Sequence, residues 1–164
     1  MESPEKTTVL GQTDGNSASP WLDRVYLADD HPFFATALAS LINNEADLSV
    51  CGSSADRIQI ITEVNNAKPD ILVMDVNLSA RANWQLAVDL RRWSQSVPLL
   101  FVSSLQNPKV EAGMKWLEPC SFVEKTKDPT DIVKAIRQTL RVFRQNRSPR
   151  ADTLDFYSRE IQRP

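Results

Sequence analysis

Glycine is scarce in this 164-residue chain: there are four, with no GxGxxG and no GxxxxGK run. Dinucleotide-binding and P-loop chemistries therefore lack the backbone cradle that holds their phosphates. Cysteine is rarer still, and Cys51 and Cys120 are too few for a disulfide framework. His31 is the sole histidine, which excludes a multi-histidine metal centre. No apolar run approaches the roughly 18 residues that a membrane-spanning helix needs. Met1 to Pro20 has neither the basic start nor the apolar core of a secretory signal. The net charge is only -2, which gives no overall attraction to nucleic acid.

What is present is ordinary globular material, 41% apolar and 24% charged, long enough for one domain plus tails. Residues 1–22 are polar and rich in Ser, Thr, Gly and Pro, and their composition predicts a disordered tail. Strand and helix signals then alternate five times. Short apolar runs at Arg24–Ala28, Asp47–Cys51, Ile71–Asp75, Val97–Val102 and Ser121–Val123 read as strands. Helical spacing recurs between and after them. Phe33, Ala37 and Leu41 mark the first helix, with Phe34 and Leu38 beside them, and Ile58, Ile61 and Val64 mark the second. Leu86, Ala87 and Leu90 mark the third; Val110, Met114 and Leu117 a weak fourth; Ile132, Ile136, Leu140 and Phe143 a fifth, opened by Asp128-Pro129. This alternation predicts an α/β fold: a parallel sheet with helices on both faces and right-handed crossovers.

The stretch Pro69-Asp-Ile-Leu-Val-Met-Asp-Val-Asn-Leu-Ser79 is central. Its apolar run suits a strand buried on both faces, and Asp75 then falls at the carboxyl end, where open α/β sheets form their functional crevice. Asp29 and Asp30 follow the first strand, Ser103 the fourth and Lys125 the fifth. One sheet edge thus gathers three carboxylates, a hydroxyl and an ammonium. The carboxylates repel one another, and a hard divalent cation such as Mg²⁺ resolves that repulsion. With Lys125 and Ser103 added, the set suits a dianionic, oxygen-rich ligand, that is, phosphate. A carboxylate nucleophile makes a covalent aspartyl phosphate accessible, and phosphoryl transfer asks mainly for positioning and charge neutralisation.

These residues carry a resemblance. Over residues 23–145 the chain resembles the receiver domain of bacterial two-component response regulators. It does so through Asp29-Asp30, Met74-Asp75-Val76-Asn77, Val102-Ser103-Ser104 and Phe122-Val-Glu-Lys125, with 28 residues from Asp75 to Ser103 and 22 from Ser103 to Lys125. The Asp-Asp-His-Pro start is similar to the subgroup with LuxR-type helix-turn-helix outputs. The resemblance implies a flavodoxin-like, doubly wound sheet of order 2-1-3-4-5. It implies Asp75 as phosphoacceptor, and Mg²⁺ held by Asp30, Asp75 and the Asn77 carbonyl, with Asp29 acting through water. Ser103 would bond the transferred phosphoryl group, Lys125 would pair with it, and Ser103 and Phe122 would form the switch. The implied partners are a histidine kinase or histidine phosphotransferase and a downstream protein target at the face of the fourth helix, fifth strand and fifth helix. Homodimerisation is compatible with this, and a cytoplasmic, non-enzymatic signalling protein in transcription regulation is expected. His31 is expected to position a loop rather than to donate phosphate. In this strand order Cys51 and Cys120 lie on opposite edges, roughly 19 Å apart, too far for a disulfide.

The chain also departs from the family pattern. Ser79 stands where proline is usual, Ala80-Arg-Ala-Asn83 replaces a Gly-containing loop, and Trp116-Leu-Glu-Pro-Cys120 replaces small residues before the fifth strand. Residues 146–164 read as a basic linker or frayed helical tail, able to hold DNA only weakly. Three alternatives stand beside the receiver reading. One is a constitutive interaction module that keeps the fold alone, and another is a DNA-binding regulator without its output domain. The third is a phosphatase of the haloacid-dehalogenase kind, since Asp75-Val-Asn77 resembles its Asp-x-Asp.

Overall fold

The computed structural model describes residues 22–78, 83–93, 97–104, 117, 119–125 and 128–146. Five strands, β1 (Asp23–Ala28), β2 (Leu48–Ser54), β3 (Ile71–Asp75), β4 (Leu99–Ser103) and β5 (Cys120–Glu124), form one sheet of order β2-β1-β3-β4-β5. Every pairing is parallel. The described helices are α1 (Pro32–Asn43), α2 (Arg57–Ala67), α3 (Asn83–Trp93) and α4 (Thr130–Asn146). The last is the fifth helix of the sequence reading. The weak fourth, apart from Leu117, lies outside the described residues, as do the N-terminal tail up to Trp21, residues 79–82, Trp116 and the chain after Asn146. The fold is the flavodoxin-like, doubly wound sheet that the sequence led us to expect.

Two cores sandwich the sheet. Tyr26, Leu72, Met74, Leu99 and Phe101 pack with Ile60 and Val64 of α2 and Leu86, Ala87 and Leu90 of α3. Val25, Leu27, Ile71, Val73, Leu100 and Val102 pack with Leu38 and Ile42 of α1 and Ile132, Val133, Ile136 and Leu140 of α4. Alternate residues of each strand therefore feed opposite cores, as the two-residue side-chain period requires. All five residues of β3 are buried, which explains its unbroken apolar run.

Two helical stripes differ in part from the sequence reading. Of the first, Phe33 is 93% exposed and Ala37 is exposed, while Leu38, joined by Ile42, buries against the sheet. Ile58 is exposed, and Ile60 with Val64 takes the inward face of α2. In both cases the apolar residue in the first turn fits a helical period but projects at the strand-end rim. The alternative four-residue spacings, Leu38–Ile42 and Ile60–Val64, lie on the side pressed to the sheet.

Local chemistry sets the helix ends. Asp56 caps α2 by accepting from the Gln59 N–H at 2.8 Å. Lys68, with φ at 47°, closes α2 in the left-handed region, and Pro69 forbids its continuation. Asp128 accepts from the Thr130 N–H at 2.9 Å as α4 begins. Gly52 is required for a different reason: a Cβ there would come within 2.5 Å of the buried Tyr26 ring. The Tyr26 hydroxyl donates to Glu63 at 2.7 Å, and burial together with that carboxylate pushes the phenol pKa far up. Arg91 on α3 donates to the carbonyls of Leu117, Val97 and Pro119 at 2.9, 2.6 and 2.6 Å, which ties the helix to the chain entering β4 and β5. Cys51 and Cys120 lie on the two edge strands and are not joined by a disulfide. Burial pushes the Cys51 thiol pKa up, which makes it a poor nucleophile at neutral pH.

Candidate functional site

The site grows out of strand alternation. Val25 and Leu27 of β1 and Ile71 and Val73 of β3 face the α1–α4 core. Two residues further on, Asp29 and Asp75 keep to that side. Val123 of β5 packs against the same core, and Lys125 follows it at the same spacing. Their three strands are β1, β3 and β5, with β4 between the last two. The β4 carbonyl of Ser103 accepts the Lys125 N–H at 2.6 Å, which anchors the lysine backbone where β5 ends.

From there Lys125 reaches across β4. Its Nζ donates to Asp75 Oδ2 at 2.6 Å and to Asp29 Oδ2 at 2.8 Å, and it lies 3.9 Å from the centroid of the Phe34 ring on α1. The other oxygens of the two aspartates are tied to backbone. Asp75 Oδ1 accepts the Asn77 N–H at 2.7 Å, and Asp29 Oδ1 accepts the His31 N–H at 2.8 Å. Asp75 is 1% exposed, whereas the Asp30 side chain is 36% and the His31 side chain 62% exposed. The pocket is thus sealed below and open on the Asp30–His31 side.

Three aspartates and one lysine leave a formal charge of -2 at this edge. One oxygen each from Asp29, Asp30 and Asp75, with a nitrogen of His31, lie within 4.8 Å of one another. A compact, oxygen-rich set with that charge deficit fits a hard dication such as Mg²⁺.

The structure brings Asp29, Asp30, Asp75 and Lys125 together as expected. Asn77 sits in the turn just after β3, exposed, with its N–H on Asp75. Ser103 ends β4 beside them and is half-buried. Phe122 is also half-buried, and its ring stacks on Phe101 with centroids 5.2 Å apart.

Two findings go beyond these expectations. Lys125 has partners before any phosphoryl group is transferred, because it already pairs with Asp75 and Asp29, and this partly compensates the carboxylates. The cause is geometric: an ammonium in a largely buried place takes the nearest anions. His31 does order the loop through its backbone, but its ring also joins the carboxylates, with Nδ1 at 3.0 Å from Asp30 Oδ1. Phe34 was legible only as a helical apolar residue. The signal that could have found it is its place in the first turn after Asp-Asp-His-Pro, where α1 starts at the strand-end rim. The side chains of Trp84 and Trp93 lie outside the described residues, although both positions fall on α3.

Comparison with known proteins adds an independent line. A family model described as the response regulator receiver domain matches residues 25–137. The chain is similar to the protein-glutamate methylesterase/protein-glutamine glutaminase of Pyrococcus abyssi, 34% identical over 95 residues, which cover 58% of this chain and 26% of that protein. It is similar to the response regulator protein VraR of Staphylococcus aureus, 24% identical over 123 residues, which cover 72% of this chain and 56% of that one. Among solved structures, a LuxR-family two-component response regulator from Aurantimonas sp. SI85-9A1 matches with a TM-score of 0.67 and 25% identity, over 73% of this chain and 85% of that chain. The chain spans about a quarter of the length of the first curated relatives it matches.

Proposed function

This chain belongs to the response regulator receiver domain family, and on that premise we propose that it accepts a phosphoryl group on Asp75 from the phosphohistidine of a kinase or phosphotransferase. The observation that carries the reading is the position of Asp75. It is the only carboxylate that is both buried at a central strand end and hydrogen-bonded at each oxygen, among the described residues.

The step is a displacement at phosphorus. An Asp75 oxygen forms the new O–P bond while the donor's N–P bond breaks, and the donor imidazole leaves with the electron pair. The Asn77 N–H on Asp75 Oδ1 orients the carboxylate, so that little reorganisation is needed. Lys125 must release Asp75 Oδ2 as phosphoryl oxygens arrive, and it then pairs with them at nearly the same place. Asp30, Asp75 and the Asn77 carbonyl would hold Mg²⁺, with Asp29 acting through water. Asp29 suits that indirect role because one of its oxygens is on Lys125 and the other on the His31 N–H. When bound, the cation would neutralise charge building on the transferred group.

The new phosphoryl group would draw the Ser103 hydroxyl, and space vacated there would let Phe122 turn off Phe101. A downstream protein would read the surface around β5 and α4. In this reading the chain is a phosphoacceptor, not an enzyme with a separate substrate, and works in the cytoplasm in transcription regulation. No described helix is long and apolar enough to cross a membrane. The methylesterase similarity covers only a quarter of that relative, so its activity is not carried over.

The test is intact mass after treatment with acetyl phosphate and Mg²⁺. Wild type should gain one phosphoryl group, lost again in alkali, and Asp75→Asn should gain none. An equal adduct in Asp75→Asn would remove Asp75 from its role. No adduct in wild type, from several small donors and a cognate kinase, would favour the constitutive interaction module.

A further inference from the structure

The last two turns of α4 and the start of β5 leave a cleft between them. Cys120 and Ser121 line one wall, Val142, Phe143 and Asn146 the other, and the space is about 240 Å³. That is below the roughly 300–1,000 Å³ of a small-molecule pocket and suits one or two side chains. Val142 is 45% exposed here, although α4 buries Ile132, Ile136 and Leu140 against the sheet. β5 is an edge strand, so among the described residues its outer side has no neighbouring strand.

The chain itself supplies an occupant. Asn146 is the last described residue of α4, so residues 147–164 leave from the rim of the cleft. Pro149 opposes straight continuation of the helix, because it has no N–H to donate and clashes with the preceding turn. Leu154, Phe156, Tyr157 and Ile161 then gather the large apolar side chains of that segment in one short run. Leu154, Tyr157 and Ile161 share one side at helical spacing. The eight residues from Asn146 to Leu154 reach as far as about 26–29 Å. The cleft needs less, since α4 runs only about 10 Å from Asn146 back to Thr139. Charge agrees as well: Asp152 and Asp155 flank Leu154, and the exposed Arg141 stands next to Val142 on α4. A tethered occupant also meets the cleft at an effective concentration on the order of millimolar.

We propose that residues 154–161 turn back and seat their apolar side chains in this cleft, so that the chain covers part of its own β5–α4 surface. The cover acts as a built-in competitor for a partner at that surface. This consequence rests on the reading above that a downstream protein uses β5 and α4; the docking itself does not.

The test uses the full chain, unphosphorylated. Cys51→Ala leaves Cys120, inside the cleft, as the sole thiol. Its alkylation by iodoacetamide is timed by intact mass, with and without Leu154→Ser, Phe156→Ser, Tyr157→Ser and Ile161→Ser together. These four residues belong to neither described core, so the sheet and its helices are kept. Hydrogen exchange of β5 and of the last two turns of α4 is measured on the same proteins. A segment seated about nine-tenths of the time leaves Cys120 open for the remaining tenth, so the variant should alkylate about tenfold faster and lose exchange protection at the cleft alone. Rates within about twofold of each other, with unchanged exchange, would overturn the docking. Protection that grows with protein concentration would assign the occupant to a second copy of the chain and overturn it too. Both readouts precede phosphorylation, so failure here leaves the role of Asp75 untouched, and failure of Asp75 to accept a phosphoryl group leaves the docking standing.

Discussion

Lys125 Nζ lies 2.6 Å from Asp75 Oδ2, although 50 residues separate them along the chain. β4 runs between their two strands, so the lysine spans two strand spacings, roughly 10 Å, and does so with its stem mostly buried. The same ammonium bonds Asp29, so one cation joins the ends of β1, β3 and β5.

Lys125→Ala should therefore cost stability before any phosphorylation. It removes the partner of a buried carboxylate, and breaking such a pair costs about 3 kcal/mol. The loss should shrink when Mg²⁺ is present, because the dication replaces the missing charge. Urea unfolding with chelator and with Mg²⁺ measures both. An equal loss in the two conditions would mean that the cation does not bind where Lys125 acts.

Phe34 should hold Lys125 in place. The ammonium sits 3.9 Å from the ring centroid, and a largely desolvated contact of this kind is worth about 1–2 kcal/mol. Phe34→Leu keeps most of the apolar volume and removes the ring quadrupole. A double-mutant cycle of Phe34→Leu with Lys125→Met should give a coupling of about 1 kcal/mol in urea unfolding. Additive effects would reduce Phe34 to packing alone.

Acid should expose the Arg137 cluster. Arg137 donates to Asp47 at 2.6 and 2.9 Å and to Glu45 at 2.5 Å, tying α4 to the loop before β2. The guanidinium hydrogen bonds hold the Asp47 carboxyl below the usual carboxylate range. A depressed folded-state pKa gives stability that is complete above the unfolded value and lost as pH falls through the folded one. Arg137→Gln should thus cost about 1 kcal/mol or less near pH 7, since the groups are well exposed. The gap between wild type and variant should stay level down to about pH 4 and narrow below it. Urea midpoints at pH 7, 5 and 3 check this; a gap that widens towards pH 3 would reverse the assigned sign.

The five-strand parallel sheet was legible in the sequence because each strand is a short apolar run closed by a turn, and a run buried on both faces needs no partner to be recognised. β3 is the clearest case, its five residues all buried between two acidic ends. The convergence of Asp29, Asp30, Asp75 and Lys125 followed from the same pattern, since parallel strands end at one edge. The inward faces of α1 and α2 followed only in part. Phe33 and Leu38 both satisfy a helical period, and only docking against the sheet chooses between them. Nor did the pairing inside the site, which depends on lateral strand order and on which side of the sheet each end residue takes. That order puts β4 between Asp75 and Lys125 and brings the first turn of α1 beside them, so Phe34 and the His31 ring enter a site that the sequence drew without them. Sequence periodicity fixes which residues end a strand; the distances between those ends exist only once the strands are laid side by side.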